Sequence, residues 1–281
     1  MTDVEGKVVY ITGTGSGMGL ASCKILAALG AHIVMFDRSE MGTTLASIET
    51  ARRSPEQRVA HFQMDVADRS SVLSTMSQAI TALGAPDIVI HMAGIGGLAE
   101  FADMQWEMFD RMMQVNVYGS RNVVEAVLPA MRARQNEQKG GARGKIVLVG
   151  SLGGMLPVYG YTAYGTSKFA VVGFAQCLRY ELKPLGIDVA CFCPGEVETP
   201  GLAAERQATH PAAVAMKKIG GTMPTTQAVS GLIDGIRRDQ FMIMPGFKTK
   251  LVHWALRLTP LPLWNAITDV IVAGALRRRP S

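Results

Sequence analysis

The 281-residue sequence predicts an α/β fold: a single doubly wound parallel sheet of seven strands, with helices on both faces and a C-terminal helical extension. Three observations carry that expectation. Short apolar runs of strand length alternate with helix-length segments. The runs are apolar enough to be covered on both sides, as parallel strands are. The first of them passes through a glycine-rich turn directly into a helix-periodic segment.

The strands are expected at 7–11 (KVVYI), 32–36 (HIVMF), 59–64, 88–91, 145–149 and 188–193, with a seventh at 241–244. Helical periodicity begins at 20–29, and helices are expected at 41–53, 70–83, 105–134 and 163–185. The polar stretch 135–143 (QNEQKGGAR) reads as a surface loop. In such a sheet the ligand sits at the carboxyl ends of the strands. That rim gathers Gly13, Asp37, Asp65, Gly94, Asn116, Ser151 and Pro194.

Composition narrows the functional classes. With 48% apolar and 18% charged residues the chain can bury a large core. The opening segment carries Asp3 and Glu5 and lacks the basic and apolar regions of a secretion signal, so a cytoplasmic protein is expected. Cys23, Cys177, Cys191 and Cys193 fall at no metal-ligand spacing and read as buried free thiols, with no metal site. The net charge of +5 is the charge of residues 248–281, six cations against Asp269, so the body is neutral and offers no basic stripe for nucleic acid.

The turn Thr12-Gly13-Thr14-Gly15-Ser16-Gly17-Met18-Gly19 lies between the first strand and the first helix. A diphosphate needs backbone amides at close range and the positive end of a helix, and side chains here would hold it away. Asp37 ends the second strand, eighteen residues after Gly19. Its carboxylate can accept from both adenosine ribose hydroxyls and repels a 2′-phosphate, which favours NAD over NADP. Arg38 is the counter-signal, since a guanidinium can pair with that phosphate, and Asp37 can equally start a turn.

Tyr164 and Lys168 stand one turn apart on one helix face. A free phenol titrates near 10, too high for proton exchange at neutral pH, and a neighbouring ammonium together with the positive nicotinamide of an oxidised cofactor is expected to lower it. Ser151 ends the fifth strand, where its hydroxyl can hold a substrate oxygen beside the phenol. Asn116 can kink the long helix and hold a water beside Lys168. The plainer alternatives are a capping serine and a buried, satisfied amide.

Over residues 7–199 these motifs resemble the short-chain dehydrogenase/reductase family. The matching residues are the glycine turn, Asp65 with Val66, Ala93-Gly94, Asn116, Ser151, Tyr164, Lys168 and Pro194-Gly195-x-Val197-x-Thr199. The resemblance implies a Rossmann fold, a catalytic domain at 1–247 extended by 248–281, and an oxidoreductase that interconverts a secondary alcohol and a ketone. It implies an Asn116-Ser151-Tyr164-Lys168 tetrad with Tyr164 as general acid/base, adenine contact by Asp65, and Val197 and Thr199 bracketing the nicotinamide carboxamide. It also implies a homodimer or homotetramer built on helices 105–134 and 163–185. His91-Met92-Ala93-Gly94 departs from the family's usual Asn-Asn-Ala-Gly.

After the sixth strand, PGEVETPGLAAE is similar to the branch that reduces 3-ketodihydrosphingosine. Asp37 departs from that branch, which is associated with NADPH. Residues 201–224 are expected to form a substrate lid. The tail is too broken for a membrane span, which needs about 20 apolar residues in a row. It predicts two amphipathic helices joined at 259–262 and ending at Arg277-Arg278-Arg279. These cover a greasy pocket, bury a subunit contact or rest on an anionic membrane, and they favour a lipophilic small-molecule substrate. The rivals are a 3-oxoacyl-carrier-protein reductase, for which the neutral body offers no docking patch, and a dinucleotide-sensing binding protein, against which the complete tetrad speaks.

Overall fold

The computed structural model describes residues 2–134, 144–205 and 210–277; the loop expected at 135–143, and Arg278 and Arg279, lie outside the described residues. Seven strands form one sheet: β1 (Val8–Thr12), β2 (His32–Asp37), β3 (Val59–Gln63), β4 (Ile88–His91), β5 (Gly144–Val149), β6 (Ile187–Phe192) and, at the far edge, β9 (Met242–Ile243). Their order is β3-β2-β1-β4-β5-β6-β9 and every pairing is parallel. The strand order reverses between β1 and β4, which opens a crevice at their carboxyl ends.

Alternate residues of each strand feed opposite faces, so the sheet carries two cores. Tyr10, Phe36, Val89 and Leu148 pack under α3 (Arg69–Leu83), α5 (Gly119–Ala133) and α6 (Thr162–Leu182). Ile11, Ile33, Ile90 and Phe192 pack under α1 (Gly17–Ala28), α2 (Gly42–Thr50) and α9 (Thr225–Arg237). Asp68 caps α3 by accepting from the Ser71 amide at 3.1 Å.

Four features differ from the sequence reading. The helix expected at 105–134 is α4 (Trp106–Met112), a π-helical turn (Met113–Tyr118) and α5. A second small sheet pairs β7 (Glu196–Glu198) with β8 (Thr222–Pro224), and α9 follows it. The segment taken as a lid folds locally into α7 (Pro200–Glu205) and α8 (Pro211–Gly220). Cys177, read as a buried thiol, is exposed on α6, because it falls on the outward side of that helix; the other three cysteines are buried.

The tail forms α10 (Phe247–Leu258) and α11 (Leu261–Leu276). Both pack on α8, with Val252, Leu256 and Trp264 joining a small apolar cluster around Leu152 and Leu156. No helix among the described residues is long and apolar enough to cross a membrane.

Candidate active site

Two connected clefts open on the rim. The first, of about 520 Å³, is floored by the glycine turn and walled by Asp37, Arg38, Asp65, Val66, Ala93 and Arg111. Its floor has no room for side chains. Gly13 has φ +70°, and a Cβ there would stand 2.7 Å from the Ala93 amide nitrogen; a Cβ on Gly19 would overlap the Gly13 carbonyl oxygen. Ser16 precedes α1 without a side-chain cap, which leaves the first-turn amides of Gly17, Met18 and Gly19 for an anion. A dinucleotide diphosphate fits this cradle.

Asp37 accepts from the amides of Gly15 at 2.8 Å and Ser39 at 3.0 Å, so one carboxylate fastens the end of β2 to the glycine turn and also starts the next turn. Asp65 accepts from the Ala67 amide and pairs with Arg111 at 3.0 Å. Burial works against its charge, yet those two partners hold its carboxyl below the usual range. Arg111 was not singled out in the sequence; its partner lies 46 residues away and leaves no local signal.

The His91 substitution keeps a strand-to-strand link. The Thr12 hydroxyl accepts from the Ala93 amide at 3.1 Å and is hydrogen-bonded to His91 Nδ1 at 2.9 Å. Burial, aided by the nearby Lys168 charge, lowers His91 to about 3 and keeps the ring neutral.

The second cleft, of about 600 Å³, shares Ser16, Met18, Gly94, Ile95 and Thr199 with the first. Ser151, Tyr164 and Lys168 lie in it below Leu152, Leu156, Leu202 and Met216. Ser151 caps a short 3₁₀ turn through the Gly153 amide at 3.0 Å, which realises the capping alternative, and its hydroxyl lies beside the Tyr164 phenol. Burial pushes the Tyr164 phenol up to about 12, against the downward pull of the Ser151 bond. The chain by itself thus holds the phenol high, and the expected lowering rests on Lys168 together with the charge of an oxidised nicotinamide. Lys168 Nζ is 5.8 Å from the Tyr164 ring centre and donates to the Val149 carbonyl at 2.9 Å; burial brings this lysine down to about 8.

Asn116 sits in the π-helical turn and is fully engaged. Its Oδ1 accepts from the Ile95 amide, and its Nδ2 donates to the Ile95 carbonyl and to Ser167 Oγ, all at 2.9 Å. It ties the segment after β4 to α6, and a Cβ on Gly94 would stand 3.2 Å from its Oδ1 and 3.4 Å from Lys168 Nζ. Pro194 accepts from the Leu152 amide at 2.8 Å, Gly195 lies close against Gly220, and Val197 and Thr199 line the second cleft. Thr199 Oγ1 accepts from the Leu202 amide at 3.2 Å, which caps α7.

A charged cluster in this cleft escaped the sequence reading. Lys217 pairs with Glu205 and, at 3.2 Å, with Glu196; Tyr161 donates to Glu205 at 2.5 Å and Thr222 to Glu196 at 2.6 Å. Among the described residues this places the Glu205 and Glu196 carboxylates around the Lys217 ammonium. Burial and the Glu205 carboxylate push the Tyr161 phenol well up. Among the described residues no cluster could hold a metal ion.

Comparison with known proteins matches this architecture. A model of the short chain dehydrogenase family covers residues 7–210. A 3-dehydrosphinganine reductase of Arabidopsis thaliana is 33% identical over 278 residues, 98% of this chain and 81% of its own length. A 3-ketodihydrosphingosine reductase of Bos taurus is 34% identical over 207 residues, and that match spans 73% of this chain but 60% of the bovine protein. A putative ketoacyl reductase of monensin polyketide synthesis from Streptomyces virginiae is 32% identical over 85% of this chain and 93% of its own. A solved short chain dehydrogenase/reductase from Burkholderia phymatum, in complex with NAD, superposes over the whole chain and 98% of its own with TM-score 0.77 at 24% identity, a likeness of fold.

Proposed function

Because this chain belongs to the short-chain dehydrogenase family, we propose that it reduces a long-chain ketone of the 3-dehydrosphinganine type with NADH, using Tyr164 as the acid. The chain is an oxidoreductase of an alcohol/ketone pair that uses NAD(P). The observation that supports this reading is the placing of Ser151, Tyr164 and Lys168 together in a cleft lined by Leu152, Leu156, Leu202 and Met216 that adjoins the glycine cradle.

Bound across the two clefts, a reduced nicotinamide cofactor would supply the hydride for the carbonyl carbon. Ser151 holds the carbonyl oxygen against Tyr164, and the phenol gives that oxygen its proton. A phenol near 12 keeps its proton at neutral pH, which is the form reduction requires. Lys168 orients the nicotinamide ribose and its ammonium steadies the phenolate as it forms. Asn116 is a positioning residue, fixing Ile95 and α6 around that lysine. In the first cleft the Asp37 carboxylate, held by the Gly15 and Ser39 amides, would accept from an adenosine ribose and repel a 2′-phosphate, the basis for NADH over NADPH.

The substrate class follows from the second cleft. Leu152, Leu156, Leu202 and Met216 give it an apolar lining for an alkyl chain, and the Glu205 carboxylate offers an acceptor for an ammonium next to the carbonyl. Trp106, Tyr118, Phe169 and Tyr180 are exposed on α4, the π-helical turn and α6, the faces on which we place a homodimer or homotetramer contact.

The test is loss of reduced-cofactor absorbance with NADH and NADPH against 3-dehydrosphinganine, a long-chain ketone without the amine, and a 3-ketoacyl thioester. NADH with the amino ketone should give the largest kcat/KM. Tyr164→Phe should lower kcat about 1,000-fold while cofactor binding, followed by fluorescence, is retained. A fully active Phe variant, or preference for the thioester, overturns the reading.

A further inference from the structure

The tail helices are apolar on the side that faces away from the protein. On α10, Val252 and Leu256 turn inward to the cluster around Leu152. Phe247, Leu251, Trp254 and Leu258 are 79%, 56%, 60% and 76% exposed. At 3.6 residues per turn these four fall within an arc of about 60°, roughly opposite the buried pair. Lys248 lies to one side of this stripe and Lys250 and Arg257 to the other. Leu263, Ile267 and Val270 continue an exposed stripe along α11, no residue of which is fully buried. An ordinary surface helix shows water its polar face; α10 shows water an apolar ridge between cations.

We propose that α10 and α11 form a platform that rests on an anionic lipid surface, with the Phe247–Leu251–Trp254–Leu258 stripe entering the acyl boundary and the flanking cations meeting the headgroups. The charge chooses between the two occupants this face admits. A second copy would bring its own Lys248, Lys250 and Arg257 against the same three, whereas an anionic bilayer complements them. The chain also offers other apolar faces for self-association, on α4 and α6. The fold makes the placement consequential: both tail helices pack on α8, whose Met216, Lys217 and Gly220 line the substrate cleft. Docking would bring the mouth of that cleft to the lipid boundary, where a lipophilic substrate resides. The docking claim itself does not depend on which ketone is reduced.

The test is cosedimentation of the full-length protein with vesicles of phosphatidylcholine alone and of phosphatidylcholine with phosphatidylserine. The protein should pellet with the anionic vesicles and be released by salt. Lys248→Gln with Lys250→Gln should weaken that binding on the order of tenfold. Trp254→Glu with Leu258→Glu should abolish it, leaving the oligomeric state, the thermal midpoint and turnover of a short water-soluble ketone as in the parent. Failure of the parent to pellet with anionic vesicles overturns the proposal. So does a Trp254→Glu/Leu258→Glu variant that pellets undiminished, or one whose changed property is its oligomeric state. Turnover of the short ketone, read on the same samples, reports separately on the catalytic assignment.

Discussion

The two clefts share a wall but are made of different material. The first is built from backbone: glycines that leave no room for a Cβ, unpaired amides at the start of α1, and one carboxylate that locks β2 to the turn. The second is built from side chains brought together from distant segments, with Ser151, Tyr164 and Lys168 below and Glu196, Glu205 and Lys217 above. A backbone site binds a part common to many cofactors and tolerates almost no substitution. A side-chain site can be re-aimed at another substrate by changing one group, so the two should fail in different ways.

The largest contrast lies in the floor of the first cleft. Gly19→Ala forces a Cβ onto the Gly13 carbonyl and should cost about 3 kcal/mol of stability together with cofactor affinity, read by thermal unfolding and fluorescence titration. A variant that folds and binds like the parent would mean the cradle is not as tight as drawn.

His91, beneath the same floor, gives the next effect. Its folded pKa of about 3 lies below the ordinary 6.5, so between these values the unfolded chain takes up a proton that the folded chain refuses, and stability falls as pH drops. At about 1.4 kcal/mol per pH unit the loss from pH 6.5 to pH 5 is about 2 kcal/mol. His91→Asn should remove that part of the acid limb, measured by urea unfolding at both pH values; an unchanged slope would place the ring in water.

Two smaller effects separate cofactor choice from substrate choice. Asp37→Ser should move the NADH/NADPH ratio of kcat/KM about tenfold towards NADPH without altering substrate preference. Glu205→Gln should do the reverse, raising KM for the amino ketone about fivefold at constant kcat while leaving a ketone without the amine untouched. Equal effects on both ketones would remove Glu205 from substrate recognition.

What the sequence revealed follows the same division. The six longer strands are apolar runs that local pattern exposes, and the glycine turn is a contiguous motif, so sheet and cradle were legible. The helix α9 was overlooked although Val229, Leu232, Ile233 and Ile236 keep helical spacing. The strands β7 and β8, three residues each, are too short for any period to show. The π-helical turn hardly disturbs the helical pattern, and only Asn116 hinted at it. Lys217 and Glu196 meet across 21 residues, and Arg111 and Asp65 across 46, pairings that only the folded chain reveals. Spacing showed the lysine near the Tyr164 phenol, whereas the depth of burial that raises the phenol in the chain by itself is a property of the fold.

The central claim, a hydride delivered to a carbonyl whose oxygen is protonated by Tyr164, is tested most directly with NADH dideuterated at C4 and 3-dehydrosphinganine. Mass spectrometry of the product should find one deuterium on the new carbinol carbon with the parent enzyme, and almost no product with Tyr164→Phe. An alcohol formed without that deuterium, or formed equally well by the Phe variant, would contradict the account.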